Sequence, residues 1–171
     1  MANRDWPANG ESRVGGQAAK SRALPAIVAA GLTCGVMDIS AAFITWWGKV
    51  TPERILQGVA SGWLGKSSFD GGMNTAALGL FFHFFIAFSW ATIFYLLSRK
   101  FTVLVRRPWI SGPIYGCFVF VFMYFVVKPL SNQAPVAGYT VKGVSIAVLT
   151  HIFCVGLPIA LMVAKFGKPK S

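Results

Sequence analysis

Four uninterrupted apolar blocks constrain the fold of this chain more than any other feature. They cover roughly residues 24–47, 74–97, 109–128 and 143–164. A helix needs ~20 residues to cross ~30 Å of hydrocarbon, and each block reaches that length. Trp46 and Trp47 close the first block and Trp109 opens the third, which is typical of aromatic anchors at membrane interfaces. The pattern predicts an all-α, polytopic membrane protein with four transmembrane helices.

The composition argues against a soluble domain. Hydrophobic residues make up 55% of the 171-residue chain, charged residues 12%, and the mean hydropathy is +0.60. This leaves too little polar material to cover a core. The three cysteines, Cys34, Cys117 and Cys154, lie inside apolar blocks, where they are expected to act as small hydrophobes and not as a disulfide framework.

The net charge of +11 does not indicate a nucleic-acid partner, because the basic residues flank the apolar blocks instead of forming one basic face. Eleven of the sixteen lie before the first block, between the second and third, or after the fourth. The positive-inside rule therefore predicts cytoplasmic N- and C-termini. Residues 1–23 are expected to form a flexible cytoplasmic tail and residues 165–171 a short second one.

The connection between the first two blocks contains a helix signal over about residues 52–64. Thr51 offers a capping hydroxyl, Pro52 suits the first helical position, and Glu53 places a carboxylate in the first turn. The following apolar residues share one face of a helix: Ile55, Leu56, Val59 and Trp63. We predict an amphipathic interfacial helix that lies in the outer interface or folds back over the mouth of the bundle.

Three ionisable residues inside the blocks call for an explanation, because a charge at bilayer depth costs ~3 kcal/mol on insertion scales. These are Asp38, His83 and His151, and counting residues from each end of the blocks puts all three at a similar depth. Tyr124 of the third block falls somewhat nearer the outer edge. We expect the four side chains to form one polar site.

Small residues recur at helical spacing along the same faces. Gly31 and Gly35 share a stripe with Asp38, Gly79 shares one with His83, and Gly112 and Gly116 form a G-x-x-x-G pair. Such positions let membrane helices approach closely. The stripes predict that Asp38 and His83 face the interior of the bundle.

Two interpretations of the polar site remain open at this point. A carboxylate and two imidazoles can bind and pass protons, or hold a small solute, which predicts a binding or translocation function. The same groups can instead fix helix packing in a non-catalytic membrane scaffold or partner subunit. Four short helices enclose little volume, so a transport route would require a homo-oligomer.

Metal and haem sites are weaker alternatives. Asp38, His83 and His151 form a legitimate ligand set for zinc or iron(II), but no short H-x-x-H or C-x-x-C spacing supports it. Two histidines on different helices could also clasp a haem. The chain contains no phosphate-binding glycine loop or nucleophile elbow. We therefore predict no resident cofactor and no catalytic residues.

Several segments resemble a known family. These are 35–38 (GVMD), 56–62 (LQGVASG) with Leu64-Gly65 after it, and Leu78-Gly79 leading to His83, together with Phe94-Tyr95 and 129–131 (PLS). Over about residues 24–164 the chain resembles small bacterial inner-membrane proteins of the YagU type. The resemblance implies a four-helix protein of the bacterial inner membrane with a connection to acid stress. It implies no reaction and carries over no catalytic residue.

Overall fold

The computed structural model of the protein describes residues 9–133 and 140–167, with side chains from residue 22 onward. The six α-helices of this part are α1 (Asn9–Thr45), α2 (Pro52–Leu64), α3 (Gly72–Lys100), α4 (Val103–Arg106), α5 (Pro108–Leu130) and α6 (Val141–Phe166). A 3₁₀ segment, Gly65–Asp70, joins α2 to α3. Single π-helical segments interrupt α5 at Met123–Val127 and α6 at His151–Gly156.

Four of these helices are long and apolar enough to cross a membrane. They are Arg22–Thr45 within α1 and the whole of α3, α5 and α6. The described residues contain no strand. The all-α class and the four spanning helices predicted from the sequence are thus confirmed.

Helix α1 begins earlier than expected. Residues 9–23, predicted as part of a flexible tail, already have a helical backbone. This stretch contains Ala, Gln, Lys and Arg, which are good helix formers, and extending an existing helix adds a hydrogen bond per residue without a new nucleus. Residues 1–8 and 168–171, also predicted to be tail, lie outside the described part of the chain.

The hydrophobic core cluster lies toward the end of the bundle that holds the start of the spanning part of α1 and the end of α6. Helix α1 packs on α3 and on residues 151–166 of α6, and α5 packs on the same part of α6. Helices α3 and α5 meet mainly through side chains, such as the Tyr115 hydroxyl that donates to the Trp90 carbonyl oxygen at 2.8 Å. The buried core combines Ala26, Ala30, Cys34, Ala87, Trp90, Ala91, Phe94, Tyr95, Tyr115, Val119, Val155, Ile159, Ala160 and Val163.

The opposite half, which we call the α2 end, is packed less tightly. Helix α1 scarcely touches residues 141–150 of α6, and the described side chains of that stretch are exposed or half-buried. The residues buried at that end are small or polar, such as Gln57, Ala60 and Ala76. The bundle therefore has a closed end and a looser end.

Helix α2 lies at the looser end of the bundle and packs on the first part of α3. The Thr51 hydroxyl caps it by accepting from the Arg54 amide at 3.3 Å. Its buried residues are Gln57, Ala60 and Ser61, so the face that contacts α3 is small and polar. Of the apolar face identified in the sequence, Trp63 is 72% exposed, whereas Ile55, Leu56 and Val59 are half-buried.

The connection after α5 holds α2 from the other side. The Asn132 side-chain amide donates to the Trp63 carbonyl at 2.7 Å, and its backbone amide donates to Gly62 at 2.9 Å. The Gln133 side-chain amide donates to the Gly58 carbonyl at 3.1 Å. Residues 52–70 are thus fastened to both α3 and the α5–α6 connection, and we call them the α2 cap.

Candidate intramembrane polar site

Glycines set the distance between α5 and α6. A side chain at Gly116 would collide with the His151 carbonyl oxygen, and one at Gly112 would meet the Leu157 Cα at 2.8 Å. Gly156 of α6 faces back toward Gly112 and Gly116 with no room for a Cβ. The two backbones touch where the π segment of α6 begins and ends, so this pair of helices is held in one register.

The other glycines singled out in the sequence make different contacts. Gly31 and Gly35 of α1 receive the rings of Phe88 and Phe84 from α3. Gly79 of α3 lies against the Leu56 carbonyl of α2. The stripe on α1 accommodates aromatic rings, while the glycine of α3 accommodates the backbone of the α2 cap.

His83 connects α3 to α1. Its Nε2 lies 2.8 Å from the Gly35 carbonyl oxygen, and its ring meets the edge of Phe84 with centroids 5.5 Å apart. A carbonyl oxygen can only accept, so Nε2 must carry a proton. Nδ1 is then the acceptor atom of the neutral ring.

His151 lies at the first position of the π segment in α6. Its Nδ1 is 2.8 Å from the Ala147 carbonyl oxygen one turn earlier, and its ring packs edge-on against Phe120 at 5.5 Å. By the same reasoning Nδ1 donates, which leaves Nε2 as the acceptor atom. π segments are frequent at functional positions of helices.

Asp38 is half-buried on α1, one turn after the buried Cys34. Helix α1 itself contacts residues 151–156 of α6, the segment that begins with His151. None of the hydrogen bonds or ion pairs formed by the described residues involves the Asp38 carboxylate, and both imidazoles donate to backbone carbonyls instead.

Tyr124 lies in the π segment of α5, and its ring packs against that of Phe120 with centroids 4.8 Å apart and planes tilted by 32°. The Lys128 ammonium lies 4.2 Å from the centre of the Tyr124 ring. A half-buried lysine near a helix end is thereby held by a cation–π contact on its own helix.

All four polar residues singled out in the sequence are half-buried. No hydrogen bond among the described residues joins Asp38, His83 and His151 to one another, so their grouping into one polar site stays a prediction. Within the described residues, no three His, Cys, Asp or Glu side chains are arranged to hold a metal ion. Each neutral imidazole offers one acceptor nitrogen, and Asp38 offers a carboxylate, so the chemistry available is proton exchange and hydrogen bonding.

Sequence reasoning did not identify two structural groups. Gln57 is 2% exposed and forms the centre of a polar network in the α2 cap, with its amide donating to the Gly72 carbonyl at 3.1 Å and to Glu53 at 3.3 Å. Gly156 completes the glycine contact with α5. The sequence signal for Gly156 was a lone glycine two residues before Pro158. For Gln57, the sequence offered no signal that separates it from an ordinary solvated polar residue.

Comparison with protein-family models, with curated proteins and with solved structures found no match to this chain.

Proposed function

We propose that the protein binds, and in an assembled form passes, protons or a small solute through a site centred on Asp38. The observation that carries this proposal is a carboxylate inside a spanning helix without a hydrogen-bond or ion-pair partner among the described residues. Such a group is costly in a membrane unless it is protonated, hydrated or bound to a ligand. In each of these three states the carboxylate can take up or release a proton, a water molecule or another polar ligand.

The position of Asp38 supports the same proposal. The helix that carries it, α1, contacts the π segment of α6 that begins with His151. His151 belongs to the same side of the bundle, and its Nε2 is an acceptor that a proton or a solute hydroxyl can use. Because one bundle encloses little volume, a continuous route requires two or more copies of the chain.

A second candidate, a non-catalytic membrane scaffold or partner subunit, is favoured by a different observation. The His83 bond to the Gly35 carbonyl ties α3 to α1 without leaving a free donor. An imidazole used in this way fixes helix register. In this alternative Asp38 is a site for a partner helix and not for a transported species.

Flux through liposomes tests the two candidates. The purified full chain is reconstituted with a trapped pH-sensitive dye, and proton or solute gradients are applied. We expect Asp38→Asn to remain folded in detergent and to reduce the rate to that of empty liposomes. Asp70→Asn, the same change at an exposed position of the α2 cap, is the matched control and should keep the wild-type rate. A wild-type protein without flux under any gradient would favour the scaffold.

We also propose the placement of the molecule in its membrane. The excess of basic residues beside the closed end puts both termini in the cytoplasm and the α2 cap on the outer side. The exposed Trp63 of α2 then lies in the interfacial layer of lipid. The resemblance to YagU-type proteins supports a bacterial inner membrane as the location.

A further inference from the structure

We propose that a cleft beside the beginning of α2 binds a phosphate group, carried by an anionic lipid headgroup or by a soluble phosphate. The cleft has a volume of about 530 Å³ and is lined by Lys49, Val50, Thr51, Arg54 and Phe69. Two of these side chains are cationic and none is acidic. Glu53, the adjacent carboxylate, accepts a hydrogen bond from Gln57 and does not line the cleft.

Arg54 is held in a fixed position across this cleft. Its Nη1 donates to the Phe69 carbonyl at 2.9 Å and to the Gln57 amide oxygen at 3.4 Å. The guanidinium carbon lies 5.1 Å from the centre of the Phe69 ring. A guanidinium has five N–H donors, and these two contacts use only one of its nitrogens. The remaining donors form a preorganised fork of the kind that recognises phosphate oxygens.

The backbone adds positive potential at the same point. Helix α2 has 13 residues and starts at Pro52, next to the cleft residue Thr51, so the positive end of its dipole lies beside the cleft. Lys49 is exposed and lines the same cleft, which leaves its ammonium available to the same anion. Thr51 supplies a hydroxyl at the rim.

The neighbouring tryptophans favour a lipid as the source of the phosphate. Trp46 and Trp47, which close the first spanning helix, are 49% and 79% exposed. Exposed tryptophans at the end of a span mark the level of lipid headgroups. The cleft begins at Lys49, two residues after Trp47, and therefore lies at the level of the headgroups.

A titration of the purified full chain in neutral detergent tests the proposal. The probes are short-chain phosphatidylglycerol, short-chain phosphatidylcholine and inorganic phosphate, with binding read by native mass spectrometry. We expect phosphatidylglycerol to bind more tightly than phosphatidylcholine. Lys49→Gln and Arg54→Lys should each weaken it about two- to fivefold, the size expected for an exposed charge contact. Lys66→Gln, an equivalent exposed cation outside the cleft, should leave binding unchanged.

Inorganic phosphate that competes with the lipid would identify the phosphate itself as the recognised group. Lipid binding without such competition would show that the whole lipid, and not free phosphate, is recognised. Both outcomes support phosphate binding in the cleft. Equal affinity of wild type, Lys49→Gln and Arg54→Lys for phosphatidylglycerol would overturn the proposal. Weakening by Lys66→Gln as large as that by Lys49→Gln would also overturn it, because binding would then depend only on net charge.

Discussion

Gly116 and Gly58 are both helical glycines, yet a methyl group would meet different surroundings at each. At Gly116 it would strike the His151 carbonyl, whereas at Gly58 it would find nothing within 4 Å. We expect Gly116→Ala to lower the stability of the folded protein by about 1–3 kcal/mol, because α5 and α6 must move apart. Thermal unfolding in detergent provides the measurement.

Gly58→Ala is the matched control for that change. Alanine is a better helix former than glycine by about 1 kcal/mol, so this variant should be as stable as wild type or more stable. Equal destabilisation of both variants would show that the loss at Gly116 comes from something other than the contact with α6.

The His83 hydrogen bond to Gly35 predicts a difference between two substitutions. His83→Phe keeps an aromatic ring but loses the donor, and should cost about 0.6–1.5 kcal/mol. His83→Gln keeps an N–H near the position of Nε2 and should recover part of that loss. The melting temperatures of the two variants give the comparison, and identical values would argue against a stabilising bond.

At the level of single residues, the sequence could identify Asp38, His83, His151 and Tyr124 as unusual, because ionisable and polar groups in apolar blocks are rare. It could not assign their hydrogen bonds. Equal depth does not determine contact, since the backbone carbonyls of Gly35 and Ala147 compete for the imidazole donors. Whether Asp38 exchanges a proton or a solute remains a prediction.

Among the elements, the α2 cap depends on Gln57. Gln57→Leu removes the bonds to Gly72 and Glu53 and one of the two acceptors of Arg54, while adding apolar volume at a site that is 2% exposed. We expect a loss of about 1–2 kcal/mol, concentrated in the attachment of α2 to α3. Hydrogen exchange should accelerate in residues 52–64 and stay slow in α5 and α6.

Ser67→Ala serves as the control for the cap. The Ser67 hydroxyl is exposed and donates only to the nearby Leu64 carbonyl at 2.8 Å, so its loss should leave exchange in α2 unchanged. Faster exchange across the entire protein in Gln57→Leu would mean that the substitution acts on the bundle and not on the cap.

The bounds of α2 could be derived from local signals, since a capping threonine followed by proline favours a helix start whatever surrounds it. Its orientation could not. An amphipathic pattern usually turns its apolar face inward, but here the buried residues are Gln57, Ala60 and Ser61, and the backbone of Leu56 and Ala60 lies against Gly79 of α3. In the proposed interfacial placement, lipid accepts the exposed Trp63, so the rule that apolar residues turn inward does not apply to it.

For the molecule as a whole, the basic residues predict which side each connection faces. In a variant whose three native cysteines are replaced, Lys66→Cys should react in intact cells with a maleimide that cannot cross the membrane. Lys100→Cys should react only after the cells are opened. Both positions are exposed in the structure, so a failure to react reflects the membrane and not burial. The reverse labelling pattern would overturn the proposed orientation.

The amino-acid sequence by itself determined the helical class, the number of spanning helices and the helix between the first two. These follow from the length of apolar runs and from capping residues, which act over one or two helical turns. Only the tertiary structure decided that the core fills one end of the bundle, that a π segment lies opposite Gly116, and that α2 is fastened through Gln57. Those features arise from contacts between residues far apart in the chain. A hydrophobic pattern is compatible with several packing arrangements of the helices, and backbone geometry and steric fit select one of them.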